Sequence, residues 1–266
     1  MEIIKSLLSI LLIAYVSLVL LMVVFQRSFL YYPGSQKPDK ETLYHEDLRA
    51  WPNEEVYRGV TSASETTAAA GTVVVFHGNA GAAYYRSYYV NALSKLSLQV
   101  ILAEYPGYGG RTGEPSEETL VKDAIETVDI AYQKYGSPIY LWGESLGAGV
   151  VSSVVAQSTV PIKGIVLLTP WDSLPELAET HYWYLPARWL LRDHYNSVEN
   201  ISSFDGNVAV VLAERDNVIP IKHGQRLYES INANKRLWLF KGAGHNSLPV
   251  SEELDWWKEV SEFIAQ

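Results

Sequence analysis

The 266-residue chain contains no cysteine. Disulfides, thiolate–zinc sites and a cysteine nucleophile are excluded together. Basic charge is also scarce: 21 Lys and Arg stand against 30 Asp and Glu, for a net charge of −9, and the basic residues form no cluster. Neutralising phosphates needs a basic face, so the composition speaks against a nucleic-acid partner.

What is present suits one sizeable domain with extra apolar content. The chain is 48% hydrophobic and 19% charged, and the excess lies at the start. From Leu7 to Phe25, "LLSILLIAYVSLVLLMVVF" carries no charge, Pro or Gly. At about 1.5 Å per residue this run crosses a hydrocarbon core of roughly 30 Å. A cleaved signal peptide has a shorter apolar region and a small-x-small site. Here the run ends in bulky Phe25, Phe29, Tyr31 and Tyr32, as at a membrane interface. We therefore expect an uncleaved single-pass anchor over residues 1–30 and one soluble body over 31–266. Lys5 on one side and Arg27 on the other specify orientation only weakly.

Beyond a polar link, "GSQKPDKETLYHEDLRAWP", strand and helix patterns alternate. Strands are predicted at Glu55–Thr61, Thr72–Phe76, Val100–Glu104, Ile139–Trp142, Gly164–Leu168, Val208–Ala213 and Leu237–Phe240. Between and after them come helices near Tyr85–Leu96, Glu117–Tyr135, after Ser145, His223–Ile231 and Glu252–Ile264. "TVVVF" is the continuous β-branched run of a strand buried on both faces, whereas Leu120, Ala124, Val128 and Ala131 recur at helical spacing. The alternation predicts an α/β fold, a mainly parallel sheet with helices on both faces. One segment breaks the rhythm: residues 171–201, rich in Trp and Tyr, form an insert long enough for a lid or binding loop. A helical excursion merely packed on the body fits the pattern equally well.

Chemistry in such sheets gathers beyond the carboxyl ends of the strands. Five segments pass that filter: "HGNAG" from His77, "YPGYG" from Tyr105, "GESLG" from Gly143, "ERDNVIP" from Glu214 and "KGAGHN" from Lys241. Ser, Asp and His stand at three of these ends, in that order. A serine hydroxyl needs a base to take its proton, and a histidine oriented by a carboxylate provides one. Gly-x-Ser-x-Gly at a strand-to-helix corner, followed by an acid and then a histidine, is the arrangement of a nucleophile elbow.

Together, "HGNAG", "YPGYG", "GESLG", "DNVIPIKHG" and "GAGHN" resemble the serine hydrolases of the α/β-hydrolase superfamily. They are similar in particular to its membrane-anchored α/β-hydrolase domain-containing branch, which includes depalmitoylases and lipid hydrolases. The resemblance implies Ser145 as nucleophile, Asp216 as acid and His245 as base. It also implies oxyanion donors in the backbone N–H groups of Leu146 and Asn79. Among the other candidates, Asp172 is the alternative acid, Glu214 fits the strand alternation less well, and Glu144, beside the nucleophile, either supports the site residues from behind or is solvated. His77 precedes the serine and reads as structural.

The expected reaction is hydrolysis of an ester or thioester through an acyl-enzyme, with no metal or cofactor required. The anchor and the aromatic insert point to an apolar acyl substrate. A peptidase or amidase with the same triad, and a non-catalytic binding protein, are the alternatives. Dehalogenation chemistry is disfavoured because its usual nucleophile is Asp.

Overall fold

The computed structural model describes residues 1–64 and 69–266. Part of the loose stretch "SASETTAAAG" lies outside the described residues. An eight-stranded sheet forms the centre. Its strands are β1 (Leu48–Trp51), β2 (Gly59–Ser62), β3 (Gly71–Phe76), β4 (Leu98–Ala103), β5 (Ile139–Glu144), β6 (Ile162–Leu168), β7 (Asn207–Ala213) and β8 (Lys235–Phe240). They lie in the order β8-β7-β6-β5-β3-β4-β2-β1. Every pairing from β4 through β8 is parallel, while β2 pairs antiparallel with both β4 and β1.

The β-branched runs explain why this sheet is covered on both faces. Along β3, Val74 and Phe76 enter one core and Val73 and Val75 the other. Along β5, Ile139 and Leu141 join the first core, Tyr140 and Trp142 the second. Period-two alternation thus feeds two apolar layers at once. The helices are α1 (Glu2–Leu30), α2 (Lys40–His45), α3 (Ser87–Ser94), α4 (Glu117–Tyr135), α5 (Leu146–Gln157), α6 (Leu174–His181), α7 (Ala187–Leu190), α8 (Ser197–Ile201), α9 (Ile221–Ser230) and α10 (Asp255–Ala265).

Local chemistry sets the helix ends. Ser116 caps α4 by accepting from the Thr119 N–H at 3.1 Å, while Thr119 Oγ1 accepts from the Ser116 N–H at 3.0 Å. This reciprocal cap pairs two N–H groups at the helix start, and Glu117 and Glu118 in the first turn complement its dipole. Its buried face of Leu120, Val121, Ala124, Val128 and Ala131 lies where the periodicity placed it. Helix α5 is buried along its whole first three-quarters, Leu146 to Val154. Its Gly and Ala residues allow that close approach.

The structure departs from expectation at the sheet's antiparallel edge. The polar link contains α2 and β1, and the strand expected over Glu55–Thr61 begins only at Gly59. Edge strands are short and half-polar, so their period is too brief to read. The insert is three short helices, α6 to α8. A two-residue parallel pairing joins Tyr32–Pro33, just after α1, to Ala80–Gly81.

Candidate active site

Glycine sterics explain the corner after β5. A Cβ at Gly147 would lie 1.9 Å from the Phe76 carbonyl oxygen, and one at Gly143 would lie 2.4 Å from the Gly147 oxygen. Only glycines let α5 turn back this tightly onto β3 and β5. Ser145 itself takes φ 54°, ψ −112°, a conformation that costs a non-glycine residue roughly 1–3 kcal/mol and clusters at functional sites. Its N–H is fixed by the Leu168 carbonyl at 2.9 Å. The side chain is thereby held above the strand ends.

Three loops meet there. His245, after β8, places Nε2 3.0 Å from Ser145 Oγ. Its Nδ1 lies 2.7 Å from Asp216 Oδ2, after β7. The other Asp216 oxygen accepts the backbone N–H groups of Val218 at 2.9 Å and Ile219 at 2.7 Å. Those two bonds fix the carboxylate plane and leave one oxygen aimed at the imidazole. Ser145, Asp216 and His245 are therefore brought together from positions up to 100 residues apart.

The alternative acid, Asp172, lies elsewhere. Its carboxylate holds His223 Nδ1 at 2.8 Å and Arg226 at 2.7 Å. Burial pushes this carboxyl up, but the bonds from His223 and the Ser173 N–H, with the Arg226 charge, hold it below the usual carboxylate range. Thr180 Oγ1 stands 3.0 Å from His223 Nε2, so the group fastens α6 to α9. Glu144 receives Arg86 at 3.3 Å and the Tyr88 and Tyr89 hydroxyls at 3.2 Å. Glu214 accepts the Gly242 N–H at 2.7 Å and bridges two loops.

"HGNAG" lies beside the serine: a Cβ at Gly78 would be 3.7 Å from Ser145 Cβ. Among the described residues, neither the Leu146 nor the Asn79 N–H has an acceptor. Leu146 opens α5, where the dipole favours negative charge. "YPGYG" acquires a role that the sequence alone did not supply. Tyr105 donates to the His77 carbonyl at 2.8 Å and Tyr108 to the Asn79 carbonyl at 2.9 Å, so both tyrosines hold the loop from below. His77 is buried, with Nε2 3.0 Å from Glu104 Oε1.

A cavity of about 360 Å³ reaches Ser145 and Asn79, with Trp171, Leu177 and Ile219 among its walls. No cluster of metal-ligating side chains occurs among the described residues.

Comparison with known proteins bears on the family and the fold. A family model described as serine aminopeptidase, S33, matches residues 67–199, half of the chain. An uncharacterized Mycobacterium tuberculosis protein is 39% identical over 177 residues, 65% of this chain and 62% of that one. The lysophosphatidylserine lipase ABHD12 of Danio rerio is 31% identical over 184 residues, 62% of this chain and 48% of the lipase. The chain thus spans less than two thirds of the length of either relative. Among solved structures, the Pyrococcus furiosus esterase Pf2001 superposes with a TM-score of 0.65 at 18% identity, covering 88% of this chain and 96% of the esterase. The Paleococcus ferrophilus monoacylglycerol lipase gives a TM-score of 0.55 at 21% identity, covering 73% and 94%.

Proposed function

We propose, for a chain that belongs to the serine aminopeptidase S33 family of α/β-hydrolases, that it is a membrane-anchored hydrolase of carboxylic esters or thioesters with an apolar acyl group. One observation carries this reading: the Ser145–His245–Asp216 chain of contacts, at 3.0 and 2.7 Å, opening on an apolar cavity. In the reaction His245 takes the Ser145 proton as Oγ attacks the carbonyl carbon. The N–H groups of Leu146 and Asn79 receive the negative charge on the carbonyl oxygen. Imidazolium then protonates the departing alcohol or thiol. Water, deprotonated by the same histidine, attacks the acyl-enzyme and frees the acid. Asp216 keeps the imidazole in the tautomer this sequence needs and stabilises its charged form. Residues 1–30 are the anchor, and 31–266 the catalytic body.

The family description favours a second reading, aminopeptidase activity. An aminopeptidase must hold its substrate's ammonium group, which calls for an accessible carboxylate. Among the described residues that line the cavity, the one carboxylate is Asp193, and it is already taken by Arg27 and Tyr31. The ester reading is therefore preferred. Turnover of p-nitrophenyl esters, acyl thioesters and aminoacyl amides by the full-length protein in detergent tests it. Ester or thioester cleavage is expected; amide cleavage alone would overturn it.

A further inference from the structure

The cavity above Ser145 has a wall that a tether need not supply. Val19, Met22, Val23, Gln26, Phe29 and Leu30 of α1 line it. Their spacing, i, i+3, i+4, i+7, i+10 and i+11, is one face of a helix. The outward face is distinct: Leu20 is 59% exposed and Val24 64%. Opposite the inward face stand Tyr182, Leu185, Leu190 and Leu191 of the insert. Polar contacts fasten the two walls. Gln26 Oε1 accepts the Arg192 N–H at 2.8 Å, Arg27 pairs with Asp193, and Tyr15 reaches the Tyr184 carbonyl at 3.1 Å.

We propose that the inward face of α1 is part of the substrate site, forming with the insert a channel for one long acyl chain drawn from the bilayer. This rests on the hydrolase reading given above. From Val19 to Leu30 the wall runs roughly 16 Å at 1.5 Å per residue, the reach of a long acyl chain rather than a short one. The volume, about 360 Å³, is near the small end for ligand cavities and suits one chain rather than two. Val19, Met22 and Val23 belong to the apolar run itself, so the far end of the channel lies at hydrocarbon depth. Beside it the insert exposes Trp183 and Trp189, at 79% and 83%, the residues that settle at a membrane interface. The polar groups at the seam, Gln26 on α1 and Asp193 in the insert, are occupied by protein partners, which leaves the wall apolar towards its guest. The substrate class is thus a single-chain amphiphile whose carbonyl stops at Ser145 while its chain lies along α1.

The test compares p-nitrophenyl palmitate and butyrate with the full-length protein in mixed micelles. Met22→Trp fills the channel, whereas Val24→Trp places the same bulk on the outward face. Met22→Trp is expected to lower kcat/KM for palmitate by roughly tenfold or more and to leave butyrate within about twofold; Val24→Trp leaves both unchanged. Equal loss on both esters, or no loss on palmitate, overturns the channel. Absent butyrate turnover and absent fluorophosphonate labelling in the unmodified protein would sink the hydrolase reading, and the channel with it. If Met22→Trp does not fold, a long-chain fluorophosphonate with a photoreactive tail end replaces it. Crosslinks on the inward face of α1 support the channel; crosslinks confined to α6 and α7 overturn it.

Discussion

The side-chain amide of Asn79 donates to the carbonyl of Leu30, the last residue of α1, at 2.7 Å. The Asn79 carbonyl in turn accepts the Tyr32 N–H at 2.9 Å. The loop proposed to supply an oxyanion donor is therefore pinned to the end of the apolar helix. Asn79→Ala keeps the backbone N–H but frees the loop. Loss of a whole oxyanion donor costs about 10²–10³ in kcat, so misdirecting one is expected to cost roughly tenfold, with little change in KM. Steady-state kinetics on a soluble ester checks this.

Asp216→Asn tests the acid more sharply than deletion does. The Val218 and Ile219 N–H bonds can still hold the side chain in place, but the group facing His245 no longer demands an N–H from Nδ1. The expected loss is about 10⁴ in kcat with folding retained. Asp172→Asn, by contrast, should leave ester turnover within a few-fold.

Asp172 is expected to make stability depend on pH in the acid range. Its carboxyl is depressed in the folded state, so its contribution is present above the unfolded value of about 3.9 and fades as pH falls through the lower folded value. Thermal unfolding of the wild type and Asp172→Asn should differ by a constant amount near neutrality. The gap should close progressively below about pH 4. A gap that ignores pH contradicts this.

Asp193 joins α1 to the insert. Its buried carboxylate accepts Arg27 at 3.0 and 3.1 Å, the Tyr31 hydroxyl at 3.1 Å and the Glu117 N–H at 3.1 Å. Burial pushes the Tyr31 phenol well up, so it remains a donor. Asp193→Ala leaves Arg27 and the Glu117 N–H without this acceptor, while the Tyr31 hydroxyl keeps the Tyr195 hydroxyl at 3.0 Å. We expect a loss of about 2–4 kcal/mol, short of the full cost for a buried pair because the Arg27 side chain is 41% exposed. Melting in detergent should fall by about 5–10 °C.

The sequence disclosed the sheet's parallel part because "TVVVF" and its kin are long, apolar and β-branched, and it pointed to the candidate site because strand ends collect chemistry. It did not disclose the docked face of α1. Val19, Met22 and Val23 turn inward and Leu20, Leu21 and Val24 outward, yet all six are apolar, so periodicity has nothing to distinguish. Arg27 and Asp193 stand 166 residues apart, and no local pattern links them. Tyr105 and Tyr108 were visible as a motif, but their targets are backbone carbonyls, which carry no sequence signal. β1 escaped because four residues with Arg49 in their midst do not establish a period.

Everything above depends on Ser145 being a nucleophile activated by His245. Full-length wild type and Ser145→Ala, both in detergent, should be treated with a fluorophosphonate probe and the adduct mapped by mass spectrometry. The account predicts an adduct on Ser145 that vanishes in the alanine variant, together with a fall in ester turnover of at least about 10⁴. Labelling that persists in Ser145→Ala, or turnover that survives the substitution, would contradict it.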